Sequence, residues 1–172
     1  RGVIRKNHWR DSLFFVSKGT RVIVTGVIWP LFIFVILGNY FTLGLIGSLL
    51  AGVSAILFFS VGKYSDKVEK RKIIRYAVPF DSFIWVLKAL VTTTSHVFMV
   101  TILSGIDRGF REPPLQALEY NKAKGEVAAY FVSREVFICL GRILLLMIVL
   151  MTNSLAGGLI FQGAMSWLAL IF

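Results

Sequence analysis

Residues 22 to 62 contain no Asp, Glu, Lys or Arg, and neither do residues 143 to 172. These runs are 41 and 30 residues long. A helix that crosses a bilayer takes about 20 apolar residues, so each run is long enough to sit in lipid. The rest of the chain agrees. Of its 172 residues, 56% are hydrophobic and 16% charged, against about 45–50% and about 25% in soluble domains. A soluble enzyme, a disordered tail and a disulfide-rich secreted module all fit poorly.

The formal net charge of +10 raises nucleic acid as a partner. A nucleic-acid binder clusters its cations on a solvated face beside a globular core. Here they fall in short blocks between apolar runs, the pattern of a cytoplasmic membrane surface, and no nucleic acid is expected. Cys139 is the single cysteine. It excludes a disulfide and a cysteine-based metal site, and reads as a small apolar filler. No paired His, His-Glu-x-x-His or Gly-x-Ser-x-Gly occurs, so no enzyme, metal or cofactor is expected. The chain opens on Arg1 and closes inside an apolar run at Phe172, which reads as a piece of a longer protein.

Residues 1–20 form a basic, aromatic lead-in with Arg5, Lys6, Trp9 and Arg10, suited to an interfacial segment or an interdomain linker. The bundle then occupies residues 21–172. Spans are expected at about 22–37, 42–61, 74–91, 96–110, 128–151 and 155–172, with a polar loop over 111–125. Pro30 permits a kink in the first span. In the second, Gly47, Ala51 and Ala55 lie four apart, as do Ser48 and Gly52, a stripe that lets another helix approach.

Lys and Arg alternate between the loops. Six precede the first span: Arg1, Arg5, Lys6, Arg10, Lys18 and Arg21. Six follow the second: Lys63, Lys67, Lys70, Arg71, Lys72 and Arg75. Four follow the fourth: Arg108, Arg111, Lys122 and Lys124. The turns at 38–40, 92–95 and 152–154 have none. The positive-inside rule then places both ends in the cytoplasm, on a multi-pass protein of the plasma (inner) membrane with six spans.

The block after the second span, Gly62-x-x-x-Asp66-Lys67-x-x-Lys70-Arg71-Lys72, resembles the loop motif of the major facilitator superfamily. There it joins the second and third helices of a six-helix half. Glu69 stands where that motif has its second Gly. The stretch Asp107-Arg108-Gly109-Phe110-Arg111-Glu112-Pro113 also looks like the family's fourth-helix exit. The resemblance implies an all-α fold, six transmembrane helices arranged as two inverted three-helix repeats. It implies one half of a secondary active transporter working by alternating access, more in keeping with the C-terminal half. Its partners would be the bilayer, a second six-helix half and a small-molecule or ion substrate of unknown identity. By the same resemblance Gly62, Asp66, Lys67, Lys70, Arg71 and Lys72 form a conformational gate. Lys70 and Arg71 would pair with an acid at the end of the fourth span, for which Asp107 is the candidate. The alternative is a complete six-span channel or scaffold that oligomerises through its glycine-rich helix faces.

Ionisable groups within spans cost about 2.5–3.5 kcal/mol each on insertion scales, so Asp81, Lys88, Glu135 and Arg142 are candidates for substrate or ion coupling. Asp81 and Lys88 are seven residues apart, nearly on one helix face, as are Glu135 and Arg142. Similar depth suggests an Arg142–Asp81 pair. Lys88 is expected to snorkel at the outer rim. In the family's layout the first and fourth helices line the cavity and the third lies outside. That would make Asp81 peripheral and Trp29, Asn39, Met99 and Ser104 the cavity residues. His96 sits at the outer end of the fourth span.

Overall fold

A computed structural model describes residues 9–65, 70–123 and 127–172. Among them the chain is helical, without a strand. Six rods follow one another: α1 (Trp9–Leu37), α2 (Tyr40–Ser65), α3 (Lys70–Ala89), α4 (Thr94–Lys122), α5 (Val127–Thr152) and α6 (Leu155–Leu170). Three stretches are long and apolar enough to cross a membrane, Trp9–Leu37, Tyr40–Ser60 and Tyr130–Thr152, with mean hydropathies of 2.2, 2.1 and 2.3.

Local chemistry accounts for the breaks between rods. Gly38 ends α1 with φ +62° and donates its N–H to the Phe34 carbonyl at 2.8 Å, the left-handed stop that glycine adopts without strain. The Thr93 hydroxyl accepts from the His96 N–H and caps α4. The Ser154 hydroxyl accepts from the Gly157 N–H at 3.2 Å and caps α6. Each cap satisfies a donor that the helix itself leaves open. Asn153 takes a left-handed φ of +47° between α5 and α6, a conformation Asn tolerates better than most residues.

α1 is not uniform. Residues Val24–Ile28 form a π-helical turn, in which the Trp29 N–H reaches back to the Val24 carbonyl. The cause is Pro30. It has no N–H to offer the Gly26 carbonyl four residues earlier, and its ring crowds that carbonyl. One wide turn relieves both problems, and such turns are frequent at functional sites.

α1 lies against α5, α2 against α4, and α3 against both α4 and α6, while α6 also touches α1 and α5. Two apolar clusters form at different heights. One joins Val24, Ile28, Trp29, Ile33, Ile84, Trp85, Val97, Leu145 and Leu159. The other joins Phe14, Phe15, Ile74, Val78, Leu115, Ile138 and Phe172. A layer of buried polar groups lies between them in sequence height on α1, α3, α4 and α6.

Three sequence expectations change here. The lead-in belongs to the bundle from Trp9 onward, because Phe14, Phe15, Ser17 and Thr20 are buried along one face of α1. The segment read as a polar loop after residue 110 continues α4 to Lys122 in spite of Pro113 and Pro114. Buried Leu115 and Glu119 hold that extension to its neighbours, and tertiary packing outweighs the two lost N–H donors. Lastly, the glycines of α2 do not carry its contact with α4, although buried Ser54 lies against Gly105. Nothing lies within 4 Å of a side chain built on Gly44, Gly47 or Gly52. The close approach uses Gly105 and Gly109 of α4 instead, which pack on Val53 and Leu57 of α2.

Candidate functional site

A cavity of about 330 Å³ opens in the middle of the bundle, between α1, α2, α3 and α4. Helical spacing builds it. Lys18, Arg21, Val22 and Thr25 share a face of α1. Asp81, Ile84, Trp85 and Lys88 do so on α3, and Ser104, Asp107, Arg108 and Arg111 on α4, each set following the i, i+3, i+4, i+7 repeat of one helix face. Leu50 of α2, Glu112 of α4 and Gly26 complete the wall. Gly26 lies in the π turn, and a side chain built there would meet nothing within 4 Å.

Asp81 is the centre of the polar layer, with 2% of its surface exposed. Arg21 grips it with both terminal nitrogens, Nη1 to Oδ1 at 2.8 Å and Nη2 to Oδ2. Trp85 Nε1 donates to Oδ1 at 3.0 Å. Arg21 also donates to the Ser166 hydroxyl of α6 at 3.0 Å, and that hydroxyl donates to the Gln162 carbonyl. The two-pronged guanidinium–carboxylate geometry is the strongest form of such a pair. One turn beyond Trp85, the Lys88 ammonium stands 3.9 Å from the Trp85 ring centre and 5.0 Å from that of Trp29.

On α4, Arg111 donates to Asp107 at 3.3 Å and to Glu112 at 2.8 Å. The other Asp107 oxygen is buried without a hydrogen-bond partner. Beyond the cavity, buried Glu119 takes Lys18 at 2.5 Å and Arg134 at 3.3 Å, tying α1, α4 and α5 together. Replacing Glu119 with Leu leaves two cations facing each other. The expected loss is about 1–3 kcal/mol, read as an earlier melting transition of the purified protein. A second change, Lys18→Met, should recover part of it. Equal melting of Glu119→Leu and the parent protein would show that the bridge holds nothing.

The structure relocates several residues singled out from the sequence. Asp81 is central rather than peripheral. Its partner is Arg21 rather than Arg142, whose Nε is buried without a partner. Lys88 is 4% exposed and lies in the aromatic core rather than snorkelling to a rim. Glu135 is exposed and bonded to Arg134. Asp107 takes Arg111, one turn along its own helix, rather than Arg71. Arg71 and Lys72 instead line a separate basic groove with Arg10 and Arg75, floored by Ile74, Leu118 and Phe172. Asp66 and Lys67 lie outside the described residues, as does the side chain of Lys70, and Gly62 lies within α2.

Of the other cavity candidates, Ser104 does line it, with its hydroxyl turned back to the Val100 carbonyl. Trp29 is buried beside Lys88, Met99 is exposed, and the Asn39 side chain accepts from the Phe41 N–H at the start of α2. Residues missed as site groups are Lys18, Arg21, Arg111 and Glu112. The first three count as loop cations in a tally of Lys and Arg. A signal was present for two of them: Arg21 is directly followed by apolar residues, and Arg111 lies one turn after Asp107.

No family model, curated protein or solved structure matches this chain.

Proposed function

We propose that the chain is a six-span half of a secondary transporter that works by alternating access. The observation that carries this reading is the charged cavity at mid-length of the bundle. Charged groups are expensive there and persist where they face a substrate or ion path. The helix pairing supports it. Exchanging α1 with α4, α2 with α5 and α3 with α6 turns the α1–α5 contact into α4–α2, and α1–α6 into α4–α3. The α3–α6 contact maps onto itself. That is the pattern expected of two inverted three-helix repeats. The glycines follow it as well: Gly19 lets α1 meet α5, and Gly105 and Gly109 let α4 meet α2. The open glycine face of α2 suits the second half; it equally suits a second copy of this chain, as in a channel or scaffold.

Cysteine labelling of the full-length protein in membranes separates these readings. With Cys139→Ser as background, Ser104→Cys places a single reporter in the cavity. An alternating-access protein exposes it to an impermeant maleimide from either side of the membrane. Labelling from one side alone would sink the reading. For the spans, Thr93→Cys should react from outside intact cells and Arg71→Cys only after permeabilisation. The reverse pattern would overturn the orientation.

A further inference from the structure

We propose that the central cavity binds a small organic anion, with the Lys88 ammonium as its counter-charge and the Trp85–Ile84–Val22 wall against its apolar body. This assignment rests on the cavity being the transport site. The cavity is lined by five cationic side chains and three carboxylates, and each carboxylate is paired with a guanidinium. Arg21 holds Asp81, and Arg111 holds Asp107 and Glu112. A cationic substrate would meet carboxylates that already carry a guanidinium, with one Asp107 oxygen left over.

Lys88 is in the opposite position. It lines the cavity and is almost wholly buried. Among the described residues no carboxylate lies within ion-pair distance of it; its close neighbours are the faces of two indole rings. A cation–π contact is worth about 0.5–2 kcal/mol, less than the cost of taking an ammonium out of water without an anion. An anion entering the cavity supplies the missing charge. Leu50, Val22, Ile84 and Trp85 form the apolar part of the wall, beside Thr25, Gly26 and Ser104, and apolar surface is no use to a hydrated inorganic ion. A volume of about 330 Å³ is at the small end of ligand pockets, which run about 300–1,000 Å³. The fit is therefore to a compact carboxylate or phosphate ester with an aromatic or short aliphatic body.

Calorimetric titration of the full-length protein in detergent tests this. The probes are benzoate, octanoate and phenyl phosphate, with benzamide as the neutral analogue, benzylamine as the cationic one and inorganic phosphate as the anion without a body. At least one of the three organic anions should bind saturably, at least tenfold more tightly than benzamide, benzylamine or inorganic phosphate. Lys88→Met should weaken it at least tenfold, whereas Lys88→Arg should keep most of the affinity. Gly26→Val adds bulk to the cavity without meeting another group, and should weaken the anion while leaving melting unchanged. The assignment is overturned if none of the three anions binds, if benzamide or benzylamine binds as well, or if Lys88→Met binds as the parent does. Because binding is read without transport, two-sided labelling at Ser104→Cys with no anion binding would remove this assignment alone. Anion binding with one-sided labelling would remove the transport cycle alone.

Discussion

Replacing Asp81 with Leu should destabilise the protein more than any other single side-chain change in the bundle. The substitution leaves the Arg21 guanidinium in the polar layer without its carboxylate, and the Trp85 N–H without its acceptor. Breaking one side of a buried pair costs about 3–5 kcal/mol, a large part of a total stability of about 5–15 kcal/mol. The purified full-length protein should melt far earlier, or fail to accumulate in membranes. Removing both partners is different. Arg21→Met with Asp81→Leu replaces a desolvated pair by apolar groups of similar volume, which is often close to neutral. Folding should return in the double variant, although transport should not if the cavity is the transport site. Arg142→Met combined with Asp81→Leu should rescue nothing, because Arg142 does not reach Asp81. Wild-type melting of Asp81→Leu, or rescue through Arg142, would contradict the arrangement described.

The second large effect is expected where α1 crosses α5. A side chain built on Gly141 would run into the Val16 carbonyl, and one built on Gly19 into the Ile138 carbonyl. Both obstacles are backbone, so no rotamer change relieves them. Overpacking costs about 1–3 kcal/mol where neighbours can yield. Gly141→Leu and Gly19→Leu should exceed that range, because two helices must separate along their length. Gly44→Ala and Gly47→Ala, on the open face of α2, are the controls. They meet nothing in the bundle, and each gains up to about 1 kcal/mol of helix propensity. Melting temperatures of the four variants should therefore split into two depressed and two unchanged or raised. A large loss at Gly44 or Gly47 would mean that α2 is covered by a partner in the protein tested, and mild losses at Gly19 and Gly141 would contradict the crossing.

Much of the layout was already legible in the chain. The charge-free runs mark where helices can stand in lipid, and Gly38, Thr93 and Ser154 mark their ends through chemistry confined to a few residues. Pro30 announced a disturbance in α1, although not that it would be a π turn facing a cavity. These features are local. Each depends on atoms within one or two helical turns, so a single strand of sequence contains all the physics needed.

The partners across helices were not legible, for a matching reason. Arg21 and Asp81 are 60 residues apart, and nothing in the spacing of α3 alone prefers Arg21 of α1 over Arg142 of α5. The same holds for the glycines. A small residue permits close approach, but the approach occurs only where another helix is held against it, on Gly105 and Gly109 rather than on Gly47 and Gly52. Lys88 shows the limit best. One ammonium near the end of an apolar helix has two stable solutions, the water at the rim or a polar cavity inside, and both satisfy its charge. The rotation of α3 about its axis, set by its packing between α4 and α6, chooses the cavity. Helix-forming tendency is carried by neighbours along the chain, whereas rotation and pairing are carried by neighbours in space, and that contrast separates what was readable from what had to be seen.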